Sequence, residues 1–175
     1  MDLKNYIRSV PDYPKKGILF RDITTLIKDS QAYNYTLDKM VEMIKDLNFN
    51  TIVAVESRGF IFASPIAYKL SKSLILVRKK NKLPSDTYSE EFELEYGKAE
   101  LEIHKDSIKK NENVVIVDDL IATGGTAKAA AKLVEKSGGK VKSFIFVINL
   151  FDLGGKDLLE KELYKVLTLI NFPGH

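Results

Sequence analysis

The stretch Val114-Val115-Ile116-Val117-Asp118-Asp119-Leu120-Ile121-Ala122-Thr123-Gly124-Gly125-Thr126 decides how this chain is read. Four β-branched apolar residues read as a buried strand. The strand ends in two adjacent acids. A Thr-Gly-Gly-Thr turn then opens an Ala-rich helix expected over Thr123 to Lys136 and stopped by Gly138-Gly139. Glycines let a backbone approach an anion closely and turn its N–H groups inward. The helix N-terminus adds a dipole that favours phosphate. Thr123 and Thr126 can donate hydroxyl hydrogen bonds, and Asp118 and Asp119 can accept them from vicinal hydroxyls such as those of a ribose. A strand, a turn and a helix start without a ligand would have no use for the two acids. The Gly-x-x-x-x-Gly-Lys-Ser/Thr and Gly-x-Gly-x-x-Gly patterns are both absent.

Outward from this stretch, apolar runs alternate with helical spacing. Thr51 to Val55 reads as a buried strand, and so do Leu74 to Val77, Val141 to Leu150 and Lys165 to Ile170. Leu37, Met40, Val41, Ile44 and Leu47 mark a helix over Tyr33 to Leu47, with Asp29 and Ser30 as candidate caps. Gly59 to Leu70 reads as a helix that Pro65 should kink, and Asp157 to Leu163 as a short one. This rhythm predicts an α/β fold: a central, mostly parallel sheet flanked by helices. Such sheets bind ligands at the carboxyl ends of their strands. Lys79 to Glu93 is polar and carries Pro84, which suggests a mobile loop or a weak hairpin. Residues 1–28 precede the sheet and are expected to form a hood over it. The chain, 1–175, reads as one domain without repeats or linkers.

Composition bounds the rest. The chain of 175 residues is 45% hydrophobic and 29% charged, a globular balance. Its net charge of +3 is small and gives no broad basic face for nucleic acid. It has no cysteine, which excludes disulfides, thiolate metal sites and a cysteine nucleophile, and which suits a cytoplasmic location. Met1 to Tyr6 lacks the apolar core of a signal peptide, and no apolar run approaches the ~20 residues that cross a bilayer. No membrane role is expected.

The run Val114 to Thr126 resembles the motif of type I phosphoribosyltransferases that binds 5-phosphoribosyl-1-pyrophosphate (PRPP). Four further segments resemble the adenine-using members of that family: Phe20-Arg21-Asp22-Ile23, Glu56-Ser57-Arg58-Gly59-Phe60, Arg78 to Pro84, and Leu94 to Leu101. The resemblance implies a type I phosphoribosyltransferase fold with the hood at 1–28 and a catalytic loop at 79–96. It implies transfer of the phosphoribosyl group from PRPP to N9 of adenine, giving AMP and pyrophosphate in purine salvage. Mg²⁺ would be held mainly by substrate and water rather than by the protein, and the family state is a homodimer.

By the same resemblance, Asp118 and Asp119 take the ribose hydroxyls, and Ala122, Thr123, Gly124, Gly125 and Thr126 take the 5′-phosphate. Ser57, Arg58, Gly59, Arg78, Lys79, Lys82 and Tyr96 are the pyrophosphate candidates. Physical grounds support them: backbone N–H groups and guanidinium forks grip phosphates. Phe20 would stack on adenine, Leu19 would offer backbone hydrogen bonds to its edge, and Arg21 would contact a ring nitrogen. Arg58 and Glu95 are the catalytic candidates, with Glu95 handling the base proton. His104 and His175 read as surface residues, and the end Asn171 to His175 carries no evident role.

Two rivals stand beside this reading. Another nucleobase would disagree with the four adenine-type segments. A regulator that binds PRPP without catalysis would be expected to add a DNA-binding module, and only about 20 residues precede Phe20, too few for one.

Overall fold

The computed structural model describes residues 1–93 and 97–175. Its central sheet is built on β3 (Thr51–Val55), every residue of which is buried. A strand covered on both faces must be apolar throughout, which is what Thr-Ile-Val-Ala-Val supplies. On one side β3 pairs in parallel with β4 (Ser73–Lys79) and on the other with β7 (Asn113–Ile121). Beyond β7 lie β8 (Lys140–Leu150) and then β9 (Val166–Phe172), also parallel.

Two helical layers cover this sheet. The helix α2 (Ser30–Ile44) and the helix α3 (Gly59–Leu70) pack Met40, Ile44, Phe62 and Ile66 against Ile52, Ala54, Val115 and Val117. The opposite face carries α4 (Gly125–Lys136), whose Ala130, Leu133 and Val134 meet Val53, Ile116 and Phe144. Strand residues of alternate parity thus serve the two layers.

Most elements fall where the periodicity puts them, with shifted ends. α2 starts at Ser30 because Asp29 caps it, accepting from the Ala32 N–H at 2.9 Å. α3 continues past Pro65 to Leu70. Proline withdraws a donor from the carbonyl four residues back, here that of Ile61. The Tyr33 hydroxyl replaces it, donating to Ile61 O at 2.6 Å. The β7 strand continues four residues past Val117, so the two acids lie within it rather than beyond its end.

The segment expected to be a loop or weak hairpin is a strand over much of its length. β5 (Thr87–Glu93) pairs antiparallel with β6 (Lys98–His104), which itself joins the edge of β4. Tyr88 and Phe92 face the α4 layer. Lys132 on α4 binds Glu90 at 2.8 Å. Only two apolar residues carry the alternation, and three interspersed acids hide it.

Residues 1–28 form a separate small layer. β1 (Arg8–Pro11) and β2 (Leu19–Asp22) pair antiparallel, and α1 (Thr24–Lys28) follows. The connecting turn is closed by Asp12, which accepts from the Gly17 N–H at 2.7 Å. Among the described residues, no helix is long and apolar enough to cross a membrane.

Candidate active site

Two adjoining cavities open at the carboxyl ends of β3 and β7. The first, about 230 Å³, brings together Glu56, Ser57 and Arg58 with the whole run from Asp118 to Ala127. The α3 N-terminus reaches it because Gly59 lies flat on β7. A Cβ there would meet Asp118 Oδ1 and Val117 O, both at 2.9 Å. Gly59 is buried and is not part of the cavity wall, so its part is this close approach. The peptide between Glu56 and Ser57 is cis. Across the cavity Gly124 sits at φ +89°, a conformation that turns the chain from β7 into α4. The Gly155 N–H holds that turn from behind by donating to Ala122 O at 2.9 Å.

The acid pair dominates the electrostatics. Burial raises the Asp118 carboxyl well above its ordinary range, and the neighbouring Asp119 charge adds to the rise. Burial raises Asp119 as well, opposed by the Arg58 guanidinium. Arg58 Nε lies 2.9 Å from Asp119 Oδ2, an ion-pair distance without hydrogen-bond alignment, so that oxygen keeps free acceptor capacity. The Asp119 N–H donates to Asp118 Oδ1 at 2.8 Å. Two adjacent acids facing one guanidinium form a pocket that gains from any ligand bringing hydroxyl donors.

The second cavity, about 660 Å³ and mostly apolar, is lined by the hood from Lys15 to Arg21, by Leu150 and Leu153, and by Gly174 and His175. It shares Arg58, Leu120, Ala122 and Thr123 with the first. The Phe20 ring carries the Arg58 guanidinium at 5.4 Å and meets Tyr13 edge-on at 5.2 Å. One arginine therefore faces both cavities.

Of the basic candidates on and after β4, Arg78 turns inward. Its Nε and Nη2 donate to the Glu56 carboxylate at 3.2 and 3.3 Å, and its Nη1 to Lys82 O at 3.2 Å. Burial pushes the Glu56 pKa up, but the Lys79 N–H and Arg78 outweigh it and hold the carboxyl below its ordinary value. Lys79 and Lys82 are exposed and line neither cavity. Glu95 and Tyr96 lie outside the described residues. Leu19, Phe20 and Arg21 all line the second cavity. Sequence reasoning missed Gly174 and His175 there, as well as Leu150 and Leu153, because nothing local marks a chain end as part of a wall. His104 is half-buried and accepts from the Ser85 N–H at 3.3 Å.

An acid pair on a strand beside a glycine turn, next to an apolar slot, has the chemistry to take a sugar phosphate and a flat apolar group side by side. A family model, the phosphoribosyl transferase domain, matches residues 23–174. The chain is 62% identical to the adenine phosphoribosyltransferase of Pelagibacter ubique over 175 residues, covering 100% of each. It is 52% identical to that of Thermosipho melanesiensis, covering 98% of this chain and 97% of the relative. Among solved structures, adenine phosphoribosyltransferase from Thermoanaerobacter pseudethanolicus superposes with TM-score 0.94 at 48% identity, covering 98% of each chain. The enzyme from Saccharomyces cerevisiae, solved with an imino-altritol bisphosphate and adenine, gives 0.89 at 35% identity and 97% coverage of each. The chain belongs to the adenine phosphoribosyltransferase family.

Proposed function

We propose that this protein transfers the phosphoribosyl group of PRPP to N9 of adenine, releasing AMP and pyrophosphate. The observation that carries the reading is the junction of the two cavities at Arg58, Leu120, Ala122 and Thr123. A ribose lying at that junction would have its 5′-phosphate in the glycine turn and its C1 toward the apolar slot.

In this reading Asp118 and Asp119 accept hydrogen bonds from the ribose 2′ and 3′ hydroxyls. Ala122 to Thr126 supply N–H and hydroxyl donors to the 5′-phosphate. Ser57 and Arg58 face the pyrophosphate, and Phe20 stacks on the base. The bond from C1 to pyrophosphate breaks as the base nitrogen closes from the other side. The chain's work is positioning two substrates and neutralising a leaving diphosphate. Glu95, placed by sequence alone, handles the base proton. Glu95→Gln is expected to lower kcat about 10²–10⁴-fold, the usual worth of a general acid or base. Near-normal turnover would remove that role.

Mg²⁺ fits this chemistry. The Asp118–Asp119 pair, whose Asp119 Oδ2 has no hydrogen-bond partner, supplies negative charge beside the cradle, where an ion carried in on substrate oxygens and water would sit. When bound, the ion would offset charge on the pyrophosphate. We also infer a homodimer: Tyr68 on α3 and Leu74 and Leu76 on β4, on the α3 side of the sheet, are large apolar residues left exposed. Light scattering tests it.

The deciding experiment incubates the protein with PRPP, Mg²⁺ and, separately, adenine, hypoxanthine and guanine, and measures pyrophosphate release. Release with adenine alone is expected. Release with another base would overturn the reading of the slot, and none with any base would overturn the enzyme.

A further inference from the structure

The second cavity has a wall that no motif announced. Gly174 and His175 line it, and they line no part of the phosphate cradle. This wall is fixed at two points. The Gly174 N–H donates to Asp152 Oδ1 at 2.6 Å, on the short turn after β8. The carbonyl of Pro173 accepts from Arg21 Nη2 at 2.8 Å. Arg21 is buried, although it stands on the hood. Its Nη1 donates to Ser9 Oγ at 2.5 Å, and its guanidinium lies 4.5 Å from the centre of the Phe172 ring. Burial lowers the Arg21 pKa, and the Asp152 charge opposes this. Arg21 thus joins β1, β2 and the segment after β9, and Asp152 meets the same segment from the sheet side.

We propose that Arg21 and Asp152 are positioning residues that latch Phe172 to His175 into place as one wall of the base pocket. The proposal rests on the reading of that pocket as the adenine site. Arg21 then acts by holding the wall, with Nη1 and Nη2 each bonded to a segment that the latch joins and Nε left without a partner. A flat base is gripped between a hood and a wall that the same side chain ties together. Loosening the latch widens the slot for the base and leaves the PRPP cradle untouched.

Asp152 tests this cleanly, because it is exposed and lines neither cavity. Asp152→Ala is expected to raise KM for adenine about tenfold, the worth of one hydrogen bond to a charged group. KM for PRPP and kcat should stay within about twofold, the pattern of lost ground-state binding to one substrate. Asp152→Asn, whose amide oxygen still accepts from Gly174, should recover most of the loss. An unchanged adenine KM in Asp152→Ala, or an equal rise in both KM values, overturns the latch. So does equal damage from Ala and Asn. Wild-type protein that releases no pyrophosphate with adenine sinks the functional reading itself. Active wild type with an indifferent Asp152→Ala sinks the latch alone.

Discussion

The two halves of the candidate site are built in opposite ways. The candidate phosphate cradle comes from one unbroken run, Asp118 to Ala127, completed by Glu56 to Arg58. The base pocket is assembled from three segments far apart in sequence: the hood at 15–21, the turn at 150–153 and the end at 174–175. A site for a phosphate can be local, because backbone N–H groups at one helix N-terminus already converge on an anion. A slot for a flat apolar base needs two facing surfaces, and no short peptide supplies both. The cradle should therefore fail all at once when a single residue changes, whereas the pocket should weaken by degrees.

The sharpest break is Asp118→Asn. The variant is expected to lose about 10²–10³-fold in kcat/KM for PRPP, comparable to removing one preorganised group from a buried site. It should also melt a few degrees higher without substrate, since a ΔΔG of about 1 kcal/mol moves Tm by a few degrees at this size. The gain has a sign that can be checked. A carboxyl whose pKa is raised by folding binds protons more tightly folded than unfolded. Its contribution is full below the ordinary carboxylate pKa of about 4 and is lost as pH rises through the folded value. Wild type and Asp118→Asn should thus melt alike near pH 4 and diverge at pH 7. An Asn variant that is less stable at pH 7 would mean the acids are held for the fold and not for a ligand.

The pocket should respond more gently. Phe20→Ala is expected to raise KM for adenine about 10–100-fold, the range for losing one aromatic stack on a base, and to leave KM for PRPP nearly unchanged. The Arg58 guanidinium over the same ring complicates the split. If both KM values rise together, Phe20 serves the cradle through Arg58, and the two cavities are one coupled site.

Legibility followed the same division. Parallel strands buried on both faces announce themselves, and Thr51–Val55 was bounded to the residue. The acid pair and the glycine turn are readable as one unit because they sit on consecutive residues, and the structure keeps them around one cavity. The β5–β6 hairpin was not, since Tyr88 and Phe92 alone carry its inner face among Glu90, Glu91 and Glu93. Arg78 looked like a free cation in a basic run. Its capture by Glu56, 22 residues away, depends on the pairing of β3 with β4, which periodicity does not register. The wall at Gly174 and His175 is silent in the sequence because only long-range packing makes it a surface of the pocket.

The hood's own attachment gives the smallest effect and the finest probe. Arg8 binds Asp22 across the first pair of the hairpin, Nε at 3.0 Å and Nη2 at 2.5 Å to the same oxygen. Asp22 also accepts from the Thr24 N–H at 2.9 Å, at the first residue of α1. Arg8 and then that N–H lower the Asp22 pKa to about 2. For an acid lowered by folding, the stabilisation is present above the unfolded value of about 4 and is lost as pH falls toward the folded one. Arg8 is largely exposed, so water screens the pair and its worth stays at or below about 1 kcal/mol. Asp22→Asn should therefore lower Tm by only a few degrees at pH 7 and by progressively less between about pH 4 and pH 2. Because Asp22 follows Arg21 and Phe20 directly on β2, a loosened hairpin should also raise the adenine KM by about two- to fivefold, on the scale of an exposed ion pair, while the PRPP KM holds. A PRPP KM that rises with it would show that the hood closes over both cavities and not over the base pocket alone.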